Sequence, residues 1–332
     1  MTLIVHSAGP GVTVQDLGRP GYLAQGLSQG GAADRLALAE GAALLGQPIG
    51  NALEMAGFGG RFQTTIPLRI ALSGAPMRAT ADGAPLAWNA SHSLPAGATV
   101  DIGGASTGVY GYLTVGGTFD LPQHLGATSA HLAAGLGRVI TNGDHLPISA
   151  KDGPSGLTLP VENRLEGGIL RVLPSLQTDL FPQAERARFE AETFTRDARG
   201  NRMGLRVLPQ TRGFGLDHGQ TILSEVITPG DIQIPGDGAP YVLLAECQTT
   251  GGYPRIGTVL PCDLPRVAQA GPGAPLRFLF VTRVEALTAE TAYRAHLDRL
   301  PRSAVPRVRN PADIPDLLSY TLISGVTAGD MP

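Results

Sequence analysis

The chain has 332 residues, a formal net charge of −3 and a pI near 6.2. It has no basic stripe interleaved with aromatic residues, which argues against a nucleic-acid partner and favours a small polar ligand or a protein. Its 45 Gly and 27 Pro are spread among Val, Ile and Leu runs, a composition typical of a turn-rich and strand-rich globular protein.

Short apolar runs separated by Gly, Pro, Asp and Asn recur along the chain and predict the strands of a barrel or sandwich. Helical patterning is confined to residues 32–46, part of 184–194, the segment LPRVAQ and residues 288–300. The polar stretch 149–168 has no sustained period and is predicted to separate two halves. We therefore predict a mainly β protein with a few short helices, divided into an N-terminal domain (1–155), a C-terminal domain (165–300) and an extended tail (301–332).

Several sequence features that are absent exclude particular locations, cofactors and metal sites. No stretch approaches about 18 uninterrupted apolar residues, and the first residues lack the features of a signal peptide, so a cytoplasmic protein without a membrane partner is expected. The single lysine, Lys151, excludes a G-x-x-x-x-G-K-[ST] phosphate loop, and its context SAKDGP excludes a biotin attached to this chain. Cys247 and Cys262 are expected to be reduced, and neither the cysteines nor the histidines have metal-ligand spacing, so no metal is expected.

Two candidate sites lie near the start of the chain. In GPGVTVQDLGRPGY, Gln15, Asp16 and Arg19 place an amide, a carboxylate and a guanidinium among small glycines. These three side chains could converge on a ligand. Alternatively, Asp16 and Arg19 could simply form an ion pair across a turn. In GGAADR, Asp34 is either a functional carboxylate or a charge that favours the helix N-terminus.

Two further motifs follow in the second half. Arg202 and Arg206 in NRMGLR are four residues apart and would share one face of a helix or a strand, so they would offer two guanidiniums to one anion. A solvated pair is the alternative. In ILSEVITPGDIQIPGDGAP, the polar residues Ser224, Glu225 and Gln233 fall on predicted strand ends and turns.

The segment QTTGGYPRIG places hydrogen-bonding side chains around two glycines directly after the apolar run PYVLLAEC. Glycines permit positive φ and close backbone approach, which suits the holding of a polar ligand. A Gly-Gly turn whose side chains only fix their own backbone is the alternative. The predicted catalytic set is Gln15, Asp16, Arg19, Asp34, Gln248, Thr249 and Tyr253. The predicted cofactor-binding set is Arg202, Arg206, Ser224, Glu225, Gln233, Thr250, Gly251 and Gly252.

Together with SEVITPGDIQIPGDGAP and YLTVGG, these motifs resemble the KipA-like, or allophanate-hydrolase-subunit-2, family along residues 3–285. The resemblance implies two cyclophilin-like β-barrel domains. It also implies the role of the C subunit in an ATP-dependent 5-oxoprolinase, which opens 5-oxoproline to glutamate with two partner subunits, one KipI-like (B) and one LamB/YcsF-like (A). ATP is then expected to be shared with a partner, and the isolated chain to have little or no activity.

The sequence departs from the family pattern at two positions where relatives carry arginine, Tyr110 and Thr128. The loss of these anion-binding groups leaves the substrate open. One alternative is a carboxyltransferase that acts on a small amide or urea-like substrate with carboxybiotin from another protein. Another is a KipA-type regulatory protein that binds a KipI-like kinase inhibitor.

Overall fold

The computed structural model describes residues 1–160, 162–216 and 222–308. Most regular structure in these residues is β. The first half contains one helix, α1 (Arg35–Leu44), and thirteen strands: β1 (Thr2–Ala8), β2 (Thr13–Gln15), β3 (Ala52–Ala56), β4 (Phe58–Thr64), β5 (Leu68–Gly74), β6 (Met77–Ala81), β7 (Ala84–Leu86), β8 (Ala90–Leu94), β9 (Thr99–Ala105), β10 (Tyr110–Val115), β11 (Gly117–Phe119), β12 (His145–Ala150) and β13 (Leu157–Thr158).

The second half contributes further strands and three more helices: β14 (Gly168–Leu173), α2 (Gln183–Ala191), β15 (Phe194–Asn201), β16 (Gly204–Pro209), β17 (Glu225–Val226), β18 (Asp231–Gln233), β19 (Tyr241–Leu243), β20 (Thr250–Gly251), β21 (Arg255–Val259), α3 (Leu264–Gln269), β22 (Pro275–Phe280), α4 (Arg283–Ser303) and β23 (Val305–Pro306).

The first half consists of two seven-stranded sheets packed around one apolar core. Their strand orders are β11-β12-β1-β4-β9-β6-β7 and β2-β3-β10-β5-β8-β13-β23. Side chains such as Val5 and Phe62 from the first sheet meet Leu72 and Leu113 from the second in a single buried cluster. Alternation of apolar and polar residues along strands such as β1 places one face of each sheet in this core.

The second half is a closed barrel with the strand order β14-β21-β18-β19-β16-β15-β22. A parallel pairing of β14 with β22 closes it, and the remaining ladders are antiparallel. Its core includes an aromatic cluster in which Phe189 of α2 stacks on Phe278, with a centroid separation of 4.8 Å. The β17–β20 pair forms a separate two-stranded sheet beside the barrel.

The end of the described chain returns to the first half. Helix α4 begins with a capping box formed by Thr282 and Glu285, and it packs on α1 through Leu297 and Leu300. Strand β23 then pairs with β13. The two halves are therefore joined by the chain that follows the barrel as well as by the segment between them.

The prediction of a mainly β protein with few helices is confirmed. The predicted helices agree with α1, α2 and α3, whereas α4 begins earlier and ends later than the predicted 288–300. The predicted tail from 301 needs correction at its start, because residues 301–303 complete α4 and β23 lies in a sheet. Residues 309–332 of that tail lie outside the described residues, as does His218, one of the histidines without metal-ligand spacing. The predicted domain boundaries stay predictions.

None of the helices in the described residues combines the length and apolar character needed to span a membrane. Cys247 and Cys262 are not joined by a disulfide bond.

Candidate functional site

An open cleft of about 580 Å³ lies where the two halves meet. Ligand pockets in proteins typically enclose about 300–1,000 Å³, so this cleft has the size of a small-molecule site. Polar groups from both halves line it, together with backbone glycines such as Gly57 and Gly108. The polar and titratable lining residues are Tyr110 from the first half and Arg196, Asn201, Arg202 and Glu246 from the second.

Arg202 joins the halves beside this cleft. It lies in the turn between β15 and β16, and its Nη1 donates to Glu54 of β3. Its Nε donates to Glu246 at 2.6 Å and its Nη2 to the carbonyl of Gly31 at 2.6 Å. Although burial acts in the opposite direction, Glu54 and Glu246 raise the pKa of Arg202 above its usual value. The guanidinium is thus a fixed cation between two buried carboxylates.

Tyr112 extends this cluster towards α1. Its hydroxyl donates to Oε2 of Glu54 at 2.6 Å and accepts from the backbone N–H of Asp34 at 2.8 Å. Burial, with Glu54 adding to it, raises the pKa of Tyr112 well above its ordinary value. Its phenol therefore stays protonated and acts as a permanent donor to the carboxylate.

A second buried cluster surrounds Asp34. This residue is the N-cap of α1 and accepts from the N–H of Ala37 at 3.0 Å, while its Oδ2 accepts from Arg164 at 2.9 Å and from Gln269 at 2.8 Å. Arg164 also makes a bidentate pair with Glu40, at 2.8 and 2.7 Å. The carboxylate of Asp34 is 0% exposed and fully occupied, so this geometry gives no support to its predicted catalytic role.

Gln269 connects the same cluster to the barrel side. It lies at the end of α3, and its Oε1 accepts from the backbone N–H groups of Val109 and Tyr110 at 2.9 and 3.0 Å. Its Nε2 donates to Asp34 and to the carbonyl of Tyr110 at 2.8 Å each. Every hydrogen-bonding group of the Gln269 side-chain amide is used in contacts across the boundary between the halves. Gln269 therefore fixes the two halves relative to one another.

The structure does not pair Asp16 with Arg19. Asp16 accepts from the N–H of Gly18 at 2.8 Å and from the N–H and hydroxyl of Thr128 at 2.7 and 2.9 Å. Arg19 donates instead to the carbonyls of His124, at 3.2 Å, and Ser129. Both side chains hold the loop that contains Thr128, so the alternative of a direct pair across the turn is wrong.

Two atoms of this first motif remain without partners among the described residues: Oε1 of Gln15 and Nη1 of Arg19. Gln15 is fully buried and uses its Nε2 on Thr13 and Ala130. Burial lowers the pKa of Arg19, against the attraction of Asp16. Asp16 faces a separate cleft of about 330 Å³, which Asn51 and Thr128 also line. The motif is therefore brought together by packing, but it does not line the cleft between the halves.

Arg202 and Arg206 do not face one anion. Arg202 is committed to Glu54 and Glu246, whereas Arg206 pairs with Asp197 at 2.7 Å and with Asp237. The prediction of a shared anion is wrong because the turn between β15 and β16 places the first arginine in the boundary and the second on the barrel wall.

The remaining predicted residues gather around β17 and β20. Glu225 pairs in register with Gly251 and forms an ion pair with Arg255 at 2.5 Å. The amide nitrogen of Gln233 occupies the space that a Cβ on Gly251 would take, which explains why glycine stands there. Ser224 lies similarly close to Gly252, with its Oγ 3.2 Å from the corresponding Cβ position.

The segment that contains Gln248, Thr249, Thr250 and Tyr253 borders this pair of strands. Tyr253 is 53% exposed. Oγ1 of Thr249 lies 4.0 Å from the Cβ position of Gly26, which places it against the first half. Neither cleft described above is lined by residues 248–253. The structure thus brings together the predicted residues between 224 and 253, but it does not place them in one cleft with Gln15, Asp16 and Arg19.

Sequence reasoning missed the carboxylates that organise the boundary. Glu40, Glu54 and Glu246 each stand alone inside an apolar run, LALAEGAAL, ALEMA and YVLLAEC, and each is at most 3% exposed. A charged residue is almost never fully buried without a partner. A single glutamate inside a strongly apolar run therefore indicates a buried carboxylate with a partner elsewhere in the fold. Among the described residues, no group of three or more His, Cys, Asp or Glu side chains is placed to hold a metal ion.

Comparison with known proteins gives concordant results. Residues 25–280 match the family described as carboxyltransferase domain, subdomain A and B. The chain is 32% identical to the C subunit of 5-oxoprolinase from Haemophilus influenzae over 295 residues, covering 87% of this chain and 94% of that protein. It is 32% identical to the C subunit of 5-oxoprolinase from Escherichia coli over 307 residues, covering 90% and 97%.

The crystal structure of TTHA0988 has the same fold, with a TM-score of 0.76 and 30% identity over 84% of this chain. The chain spans 55% of the length of the TTHA0988 chain.

Proposed function

Because the chain belongs to the family of carboxyltransferase domains, subdomains A and B, we propose that it is the C subunit of an ATP-dependent 5-oxoprolinase. The observation that carries this proposal is the match to two proteins of that name over 94% and 97% of their lengths. The chain would work with two partner subunits, one KipI-like (B) and one LamB/YcsF-like (A), to open 5-oxoproline to glutamate.

The chemistry of a five-membered lactam explains the need for ATP and for partners. The amide is resonance-stabilised, and phosphorylation of its oxygen converts it into a better electrophile. Charge that develops on the substrate is then stabilised by positioned donors. This chain offers such donors at the boundary between its halves but has no lysine-containing phosphate loop. We therefore assign ATP to a site shared with a partner protein, with little turnover expected from this chain alone.

Within that function, residues 248–253 would contact the substrate or the partner through side chains that are exposed or only partly buried. Truncation of Thr249 or Tyr253 to Ala should lower turnover of the complete complex tenfold or more, the effect of losing about 1.4 kcal/mol of transition-state stabilisation. The free energy of unfolding should change little, by no more than about 0.5 kcal/mol for the half-exposed Tyr253, because neither side chain belongs to a buried core. A fall in activity that merely follows a lower melting temperature would show that these residues only maintain a turn.

The test of the proposed function is glutamate release from 5-oxoproline. The chain is purified with its two partners and assayed with and without ATP, and each protein is then omitted in turn. Release that requires ATP and this chain supports the proposal. Release that is unchanged without the chain, or full activity of the chain alone, contradicts it.

The family description supports one second candidate, carboxyl transfer to a small amide or urea-like substrate from carboxybiotin carried by another protein. It requires donors that stabilise an oxyanion and a group that handles the protons of the ureido ring. Transfer of labelled carboxylate from carboxybiotin to urea by the chain and its partners, with no glutamate release, would favour this function over the first.

A further inference from the structure

The cleft between the two halves contains an arginine whose charge is not matched by the protein. Arg196 lies in β15, is 7% exposed, and lines the cleft together with Tyr110 and Asn201. Its Nε is buried without a hydrogen-bond partner, and no carboxylate in residues 1–160, 162–216 and 222–308 forms an ion pair with it. A buried guanidinium thus faces an open space.

The other arginines of the same hairpin behave differently. Arg199 pairs with Asp197 at 2.9 Å, Arg206 pairs with the same carboxylate at 2.7 Å, and Arg202 pairs with Glu246 at 2.6 Å. Both oxygens of Glu246 are also occupied, one by Arg202 and the other by a backbone N–H at 3.2 Å. The nearby carboxylates therefore pair with three arginines of the hairpin and leave Arg196 without a counter-ion.

An unpaired buried cation costs several kcal/mol unless a partner compensates it. Burial lowers the pKa of Arg196, and nearby Tyr110 and Asp197 only partly oppose this effect. Gly200 makes room for the guanidinium, since a Cβ at that position would stand 3.0 Å from Nη2 of Arg196. A bound anion would supply the missing counter-charge from the open side of the cleft.

We propose that Arg196 determines the specificity of this cleft by binding the carboxylate of a small substrate. The proposal rests on the proposed function, in which 5-oxoproline carries one carboxylate beside its lactam ring. A neutral urea-like substrate could accept a hydrogen bond through its carbonyl oxygen, but it carries no negative charge to compensate the guanidinium. Arg196 therefore favours a carboxylate-bearing lactam over a urea.

Two neighbouring groups complete the site. Burial and the nearby carboxylate of Glu54 raise the pKa of Tyr110 to about 12, so its hydroxyl remains protonated and can donate. The side-chain oxygen of Asn201 accepts from the N–H of Met203 at 2.8 Å, which leaves its NH₂ group for a ligand. Arg196 would hold the carboxylate while these two donors face the rest of the ring.

The experiment compares two ligands that differ only in the carboxylate. Purified full-length chain is titrated by calorimetry with 5-oxoproline and with 2-pyrrolidone, which has the same lactam ring without the carboxylate. Arg196→Met should weaken 5-oxoproline binding about 10- to 100-fold, the range expected for loss of a charged hydrogen bond. Binding of 2-pyrrolidone should be the same in both proteins. Arg196→Lys, which keeps the charge, should recover part of the lost affinity.

Arg199→Met is the matched control, because Arg199 lies on the same strand but pairs with Asp197 and is exposed. It should bind 5-oxoproline as the wild type does. Equal affinity of wild type and Arg196→Met, or no binding of 5-oxoproline by the wild type, overturns the inference. Arg196-dependent binding combined with no glutamate release by the complete complex would overturn the proposed function and leave the inference standing.

Discussion

Two regions at the boundary between the halves differ in whether their buried charged side chains are paired. Around Asp34 and Arg164, every charged side chain has its partners, and the distances lie between 2.7 and 2.9 Å. In the adjoining cleft, Arg196 is buried to a similar degree and has no partner among the described residues. Burial alone therefore does not distinguish structural from functional charge in this protein.

The two regions differ in whether side chains of the protein itself neutralise each buried charge. A buried ion pair with all of its hydrogen bonds formed contributes to a fixed geometry, and its loss leaves uncompensated charge. An incomplete site is destabilising by itself and becomes favourable only when a ligand completes it. Substitutions in the two regions should therefore differ in their effects on stability.

The largest effect is expected from Arg164→Met. This substitution leaves Asp34 and Glu40 buried without their counter-ion, so the free energy of unfolding should fall by about 3–5 kcal/mol, measured by urea titration. Arg61→Met serves as the control, because the Arg61–Asp101 pair is long, at 3.6 Å, and exposed. Its effect should stay within about 0.5 kcal/mol.

If Arg164→Met does not fold, the triple variant Arg164→Met with Asp34→Asn and Glu40→Gln should recover much of the stability, since no buried charge then remains. Equal stability of the Arg164 and Arg61 variants would show that the first cluster is not the structural one.

Tyr112→Phe should have an intermediate effect. It removes a donor to Glu54 and the acceptor of the Asp34 N–H, both buried, so a loss of about 1–3 kcal/mol is expected in thermal or chemical unfolding. Tyr253→Phe, at a half-exposed position, provides the comparison and should change stability by less than about 0.5 kcal/mol. A Tyr112→Phe variant with unchanged stability would contradict the hydrogen bonds assigned to the Tyr112 hydroxyl.

Arg196→Met should leave the stability unchanged or raise it by up to about 1 kcal/mol, in contrast to Arg164→Met, because it removes a buried charge that has no partner. Unfolding in urea without ligand measures this directly. A loss as large as that of Arg164→Met would place Arg196 in the structural class and remove the basis for a ligand site.

The smallest effect concerns pH. Burial lowers the pKa of His131 below the ordinary 6.5, although Glu246 opposes the shift, and burial likewise lowers that of His92, where the Ala87 carbonyl opposes it. The unfolded chain then binds more protons than the folded one below pH 6.5. The free energy of unfolding should therefore be unaffected by these histidines above pH 6.5 and should decrease as the pH falls through that value.

Melting temperatures between pH 7.5 and about 5 would show this decrease. His92→Gln, which keeps a donor for the Ala87 carbonyl, should flatten the profile in part and leave the contribution of His131 at the boundary. A profile identical in the variant would mean that His92 has no part in the pH dependence.

Much of the architecture could be predicted from local sequence. The alternation in β1 and the apolar runs of the barrel strands predict β structure because a strand with one buried face must repeat every two residues. LPRVAQ predicts α3 without error in its bounds. The start of α4 was missed because its capping box, Thr282 and Glu285, lies outside the apolar period that predicted the helix.

The candidate site was predicted less well. Arg202 and Arg206 share a motif of six residues, yet their partners lie 148 and 31 positions away in the sequence, at Glu54 and Asp237. The family pattern predicts that Tyr110 replaces an anion-binding arginine, but Arg196 lines the same cleft. No local pattern links positions 110 and 196.

The sequence by itself determined the β-rich architecture, the place of most helices and the family, because these depend on local periodicity, caps and motifs that neighbouring residues encode. The pairing of buried charges was decided only by the tertiary structure. Ion pairs and hydrogen bonds act over a few ångströms in space, and the fold brings Glu54 to Arg202, and Asp34 to Arg164 and Gln269, from distant parts of the chain. Which arginine is left over for a ligand is a property of that arrangement as a whole.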